Sequence, residues 1–488
     1  MLTIQIGAVN YNTVKVLLIN PTDYQTMFVE PPVFFRLTDS TIHFPPLGLL
    51  YIAANLMSYT DAEVAILDAQ LEGLTYDAIE ERIRAYKPDL VGISAYTLTL
   101  LDTIEIAHRV KLVNTETFVV IGGPHAFIYP DQTAMLPYID AVVPGEGEEV
   151  MTDIVKNIVN KSSLKDIPGL YFKDKGELVF TSIRSPIRDL DHLPFPARKL
   201  LPIHAYKFVA DLSRSSTLMI SSRGCRFKCT FCDIPFRSIR SRSPRNVAME
   251  ISECFEMGYK DINFYDDNFN FSEERVGDIC KEIINRDIPV RFSIRARVDK
   301  INPPMLHLLY RAGCRRISFG IEAGDDETLK YLKKGITIDM VRKAIKLTKD
   351  AGIEVSASFI LAIPSRPKEI SLRTINFAIE LDPDYAIFVP MILLPATNIY
   401  TEALNSNAIE RDFYLDFAKH PIPMPNKAYW ENPLSYEEAQ SLTKLAHKRF
   451  YLRPTYMWKQ LRKVSSLTEF LKKGHAALDI LFYTLFNK

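Results

Sequence analysis

Three of the six cysteines stand within eight residues, in Cys225-Arg-Phe-Lys-Cys229-Thr-Phe-Cys232. Thiolates are the ordinary ligands of iron–sulfur clusters, usually four to a 4Fe–4S cluster. Three close together leave one iron without a local protein ligand, and an iron with an open position can bind a small molecule and do chemistry on it. Zinc is the alternative. Closed zinc sites take four ligands, typically in two pairs, and no second pair stands in this sequence. The spacing therefore favours a cluster held by Cys225, Cys229 and Cys232. Cys254, Cys280 and Cys314 are scattered in apolar settings and read as small buried hydrophobes. Such cysteine use fits a reducing, cytoplasmic environment.

A loop presents three thiolates together only if rigid elements hold it. From Thr217 a series of apolar strands begins: Leu218 to Ser221, Asp261 to Tyr265, Val290 to Ile294, Arg316 to Ile321, Val355 to Leu361 and Tyr385 to Val389. Helical patterns fall between them. Such a series predicts a partial (β/α)6 barrel, whose site lies at the carboxyl ends of its strands. The cysteine loop follows the first strand. Asp266 and Asp267 follow the second, as polar site groups or as caps of a turn. Arg295 and Arg297 follow the third. Glu322, in Gly320-Ile-Glu-Ala-Gly324, follows the fourth, where a buried carboxylate needs a partner such as a ligand hydroxyl or amine. Every strand ends in polar or turn residues on one rim.

The N-terminal part alternates in the same way. Val14 to Ile19, Glu63 to Asp68, Asp89 to Ser94, Thr117 to Gly122 and Ala141 to Val143 read as strands. Apolar throughout, they imply a doubly wound parallel sheet covered on both faces. Ligands of such sheets bind beyond the carboxyl ends of the strands. Gly122, Gly123, Gly145 and Gly147 stand there, as turn residues or as places where a ligand approaches the backbone. No G-x-G-x-x-G follows the first strand, which counts against a dinucleotide site.

The whole chain is thus α/β. It divides into a first domain at 14–160, a proline-punctuated linker at 161–212 with a hairpin near Lys175, a barrel at 213–400 and a helical C-terminal segment at 401–488. The segment is aromatic and basic. It reads as a cap closing the barrel, or as a lid for a lipid-like substrate drawn from a membrane, with Ala476 to Phe486 as an interfacial helix. A formal net charge of zero gives no footing for nucleic acid. The N-terminus lacks the pattern of a secretory signal, and no segment has the ~20 apolar residues needed to cross a bilayer.

The cysteine loop, with Phe231 before its last cysteine, resembles the signature of the radical S-adenosylmethionine (radical SAM) family. Gly122-Gly-Pro-His125, Pro144-Gly-Glu-Gly147, Phe264-Tyr-Asp-Asp-Asn-Phe269 and Gly320-Ile-Glu-Ala-Gly324 resemble motifs of its cobalamin-dependent subgroup. The likeness covers nearly the whole chain. It implies a Rossmann-like cobalamin-binding domain followed by the radical SAM barrel. It implies a 4Fe–4S cluster on Cys225, Cys229 and Cys232, whose open iron binds S-adenosylmethionine and cleaves it by one electron from a donor such as flavodoxin or ferredoxin. Phe231, Glu322 and Arg295 would contact S-adenosylmethionine. Gly122, Gly123, His125, Gly145 and Gly147 would line the cobalamin site, His125 at the nucleotide tail. The implied activity is methylation of an unactivated carbon, in a hydrophobic or natural-product-like small molecule. The alternatives are other radical chemistry, such as oxidative cyclisation of a porphyrin ester, and a non-catalytic cobalamin sensor, against which the intact cysteine triad counts. One departure stands out. The place where such domains can carry D-x-H-x-x-G reads Asn20-Pro-Thr-Asp-Tyr24, without histidine, while His43, His108 and His125 lie elsewhere.

Overall fold

A computed structural model describes residues 13–25, 27, 44–202, 205–206, 215–424 and 429–462. It divides into two compact units. The first is built on a seven-stranded sheet of order β2-β1-β3-β4-β5-β6-β7. β1 (Lys15–Asn20), β2 (Glu63–Asp68), β3 (Leu90–Ser94), β4 (Phe118–Gly122) and β5 (Ala141–Val142) are parallel. The order reverses between β1 and β3, the place where an open α/β sheet leaves a crevice for a ligand. β1, β3 and β4 are buried along most of their length, as strands covered on both faces must be. Helices Leu47–Tyr59 and Gly147–Asn160 pack side by side, joined by the buried Asn55 amide, which donates to Glu148 O and Thr152 Oγ1 at 2.8 Å each.

The hairpin expected in the linker is part of this sheet. β6 (Tyr171–Asp174) pairs antiparallel with β5, and β7 (Glu177–Phe180) with β6. The alternation of Tyr171, Phe172 and Val179 is too short to separate a free hairpin from a sheet edge; Phe172 decides it by burying in the first core. The first unit therefore runs on to Ala205, and it includes helix Phe413–Lys419 from the segment expected to be wholly C-terminal.

The second unit holds six parallel strands of order β15-β14-β13-β12-β11-β8. These are β8 (Ser216–Met219), β11 (Asp261–Phe264), β12 (Arg291–Ala296), β13 (Cys314–Glu322), β14 (Glu354–Leu361) and β15 (Tyr385–Pro390), each neighbour in sequence also a neighbour in space. A short antiparallel pair, β9 (Ser222–Arg223) and β10 (Arg240–Ser241), brackets the cysteine loop. The partial (β/α)6 barrel is as expected. Four of its helices start on side-chain caps: Ser243, Ser272, Asn302 and Thr337 each accept a backbone N–H three residues on.

A partial barrel leaves edge strands with unpaired backbone groups. At β15 the C-terminal helices cover them. Tyr451 Oη donates to Ala386 O at 2.8 Å and accepts from Ala386 N at 3.1 Å, and Tyr456 Oη donates to Asp384 O at 2.9 Å. Tyr451 and Tyr456, among the described aromatics of the tail, thus cap the barrel edge. Among the described residues no helix is long and apolar enough to cross a membrane. Ala476 to Phe486, Lys463 and His43 lie outside the described residues.

Candidate active site

The cysteine loop is fastened at its entry by the two carboxylates after β11. Asp266, fully buried, accepts Ser221 N at 2.8 Å, Ser221 Oγ at 2.6 Å and Ser222 Oγ at 2.5 Å. Asp267 accepts Gly224 N at 3.0 Å. Burial pushes both carboxyls above the usual carboxylate range, against hydrogen bonds that pull the other way. Gly224 has φ +94°, and a side chain there would collide with the Ser238 carbonyl, so only glycine lets the chain turn into the loop. Cys225 N then donates to Phe236 O at 3.0 Å, Arg237 Nη1 to Phe227 O at 2.6 Å and Arg237 Nη2 to Cys232 O at 3.3 Å. Thr230 N donates to Leu332 O at 3.1 Å.

All three thiols of this loop are free, Cys225 and Cys229 buried and Cys232 half-buried. Burial pushes the thiols of Cys229 and Cys232 up; at Cys229 the charges of Lys334 and Arg297 oppose it. Three free thiols within eight residues of one loop are, as a donor set, what a 4Fe–4S cluster with one open iron would take, each thiolate on its own iron.

Two cations stand against the loop. The Arg297 guanidinium lies 3.6 Å from the centroid of Phe227, and Lys334 Nζ lies 5.8 Å from that of Phe231. Lys334 also pairs with Glu322 at 2.7 Å. Glu322 has φ +76° and lies where the β13–β14 register shifts, a bulge that re-aims its side chain. Arg295 is exposed, its guanidinium 3.4 Å from the Tyr265 ring centroid. Asn268, buried after β11, has no hydrogen-bond partner on either amide atom among the described residues.

In the first unit the carboxyl ends of β3 and β4 come together. Gly123 has φ +94° and packs under Ala95, whose carbonyl would lie 2.8 Å from any Cβ there. Gly122 and Gly145 have nothing within 4 Å of such an atom, so a ligand can reach their backbone. Gly147 packs against Ile52. His125 is buried, with Nδ1 3.0 Å from Thr97 Oγ1 and Nε2 without a partner among the described residues. Burial lowers its pKa to about 4, so its ring is neutral at physiological pH. The loop after β1 is pinned by Asp102, which accepts Thr22 Oγ1 at 2.7 Å, Gln25 N at 3.0 Å and Tyr76 Oη at 2.6 Å. His108 lies in helix Leu100–Val113, stacked on Tyr138 with centroids 4.5 Å apart.

Residues 219–378 match the family model of the radical SAM superfamily, and residues 37–155 that of the B12 binding domain. An uncharacterized methyltransferase of Pyrococcus horikoshii is 33% identical over 86% of this chain and 90% of its own. The chain belongs to the cobalamin-dependent radical SAM family. An anaerobic magnesium-protoporphyrin IX monomethyl ester cyclase of Rubrivivax gelatinosus is 28% identical over 92% of this chain and 83% of its own. Among solved structures, the radical S-adenosylmethionine methyltransferase TsrM of Kitasatospora setae superposes with a TM-score of 0.66 at 19% identity, covering 81% of this chain and 79% of that one. The cobalamin-dependent radical enzyme OxsB gives 0.66 at 18% identity over 97% of this chain and 72% of its own.

For this radical SAM enzyme the cofactors are a 4Fe–4S cluster, S-adenosylmethionine and cobalamin. The open glycine backbone at Gly122 and Gly145 and the unsatisfied His125 Nε2 fit a large polar ligand over the first sheet. Lys334 carried no signal in the sequence, because its partner Glu322 stands twelve residues away, across helix Asp326–Tyr331. Asn268 lay inside a recognised motif, but only its burial without a partner marks it out.

Proposed function

We propose that this enzyme transfers a methyl group to an unactivated carbon of a hydrophobic small molecule. When bound, the cluster and S-adenosylmethionine supply hydrogen abstraction, and cobalamin carries the methyl group. The observation that carries the reading is a loop with three free thiols within eight residues, in a chain that also has a B12-binding domain and a methyltransferase relative at 33% identity. The residues' own tasks are binding and positioning. Cys225, Cys229 and Cys232 hold the cluster, and Asp266, Asp267 and Arg237 hold their loop. Phe231, Glu322 and Arg295 bound the S-adenosylmethionine pocket, with the buried amide of Asn268 as a further polar contact. Gly122, Gly123, His125, Gly145 and Gly147 form the cobalamin cradle.

The test is anaerobic reconstitution with cobalamin and S-adenosylmethionine, followed by product analysis. Methyl transfer yields S-adenosylhomocysteine besides methionine and 5′-deoxyadenosine. The second reading, radical chemistry without methylation, is favoured by the cyclase relative that aligns over 92% of this chain; it yields the last two products alone. A lipid-like substrate drawn from a membrane is supported by helix Pro454–Arg462, which exposes Met457, Trp458 and Leu461. Co-sedimentation with liposomes, with and without residues 465–488, tests that part; equal, negligible binding removes it.

A further inference from the structure

The charged groups beside the cysteine loop form one connected unit. The Arg297 guanidinium, stacked on Phe227, donates through Nη2 to Lys334 O at 3.0 Å and through Nε to Asp299 Oδ1 at 2.8 Å. It thereby holds the backbone from which Lys334 reaches Phe231 on one side and Glu322 on the other. Phe227 and Phe231 belong to the loop that carries the three cysteines. Arg297 and Glu322 are buried, and the ammonium of Lys334 sits in the space left by Gly320. Charges in such surroundings are screened far less than charges in water and act over longer distances. The chain just before Lys334 also meets the loop directly: Thr230 N, next to Cys229, donates to Leu332 O at 3.1 Å.

We propose that Lys334 and Arg297 set the reduction potential of the cluster, with Glu322 as a counter-charge that limits the contribution of Lys334. The inference rests on the cluster reading above. The step concerned is uptake of one electron by the oxidised cluster from a low-potential one-electron donor, with no bond made and no proton moved. It adds one negative charge beside three thiolates. A nearby cation stabilises the product, and a nearby carboxylate destabilises it. Local charge is one of the levers that set cluster potentials. Removing the cation and removing the anion therefore shift the potential in opposite directions, which a merely structural role for the ion pair does not do.

The test is an EPR-monitored redox titration of the full-length, anaerobically reconstituted chain, with iron and sulfide counted per chain. Lys334→Met lowers the reduced-to-oxidised ratio at fixed potential about tenfold, a midpoint ~59 mV more negative for one electron. Glu322→Gln moves the midpoint the other way. Lys334→Arg, which keeps the charge, stays within a threefold ratio of the parent. Should Lys334→Met lose its iron, Glu322→Gln decides alone, since it leaves both cations and both rings in place. Equal midpoints in a loaded parent and loaded variants, or shifts of the same sign for Lys334→Met and Glu322→Gln, overturn the inference and leave the cluster intact. A parent without iron or EPR signal overturns the cluster reading, and this inference with it.

Discussion

The Lys334 ammonium lies 2.7 Å from Glu322 Oε1, in a space that exists because residue 320 is glycine. A Cβ at 320 would stand 2.5 Å from that oxygen and 3.0 Å from the ammonium nitrogen. Both are ends of flexible side chains, so Gly320→Ala separates the pair rather than the fold. At Gly324 a Cβ would meet the backbone of Thr374, 2.7 Å from its Cα, which cannot step aside. Gly324→Ala therefore destabilises the second unit by about 3 kcal/mol, at the upper end of the usual cost of overpacking, and Gly320→Ala acts through the separated ion pair without straining the backbone. Denaturant midpoints of the two variants, compared with the parent, check the order.

Asp266 and Asp267 separate folding from cluster binding. Asp266→Ala strips three donors of their acceptor inside the protein, a loss of about 3 kcal/mol or more. Asp267→Ala frees only Gly224 N at the mouth of the cysteine loop. It leaves the unfolding midpoint close to that of the parent and lowers iron per chain after reconstitution. Iron content and thermal midpoint measured on both variants show whether the two effects divide in this way.

His125 gives the first unit an acid-sensitive term. Its pKa falls from the ordinary 6.5 to about 4 on folding. The unfolded chain therefore binds a proton that the folded chain refuses, so the stability contributed by the neutral ring is complete above about pH 7 and fades as pH falls toward 4. Between pH 7.5 and 5 the linkage amounts to about 2 kcal/mol. Denaturation of the parent at both pH values reads it, and His125→Phe shows a correspondingly smaller pH dependence. The same slope in both proteins contradicts the assignment.

Tyr451 caps the open edge of the barrel with a single hydroxyl that donates to and accepts from Ala386. Tyr451→Phe keeps the ring packing and removes both bonds. It costs about 2 kcal/mol, the sum of two ordinary hydrogen bonds, and raises amide exchange along β15.

Much of this arrangement was legible in the sequence. The six barrel strands were legible because short strand-like segments alternate with helical patterns along the chain. The cysteine loop was legible because its three cysteines are local, within eight residues. What stayed hidden depends on distance along the chain. Phe172 gives no sign that β6 joins the first sheet until β5 is placed beside it. Asp102 pins the loop after β1 across some eighty residues. Asp266 and Asp267 could be read as site groups or caps, and only the fold shows them gripping Ser221 and Gly224. Arg297 and Lys334 meet the cysteine loop at the rings of Phe227 and Phe231, contacts that leave no spacing pattern.

The most direct measurement is 5′-deoxyadenosine formed by the reconstituted, reduced chain incubated anaerobically with S-adenosylmethionine. The parent produces it together with an equal amount of methionine. Cys229→Ala, which takes one of the three thiols from the loop, produces at least about a hundredfold less, while its folding is checked by circular dichroism. Equal 5′-deoxyadenosine from the parent and a folded Cys229→Ala variant would contradict the assignment of the cluster to Cys225, Cys229 and Cys232.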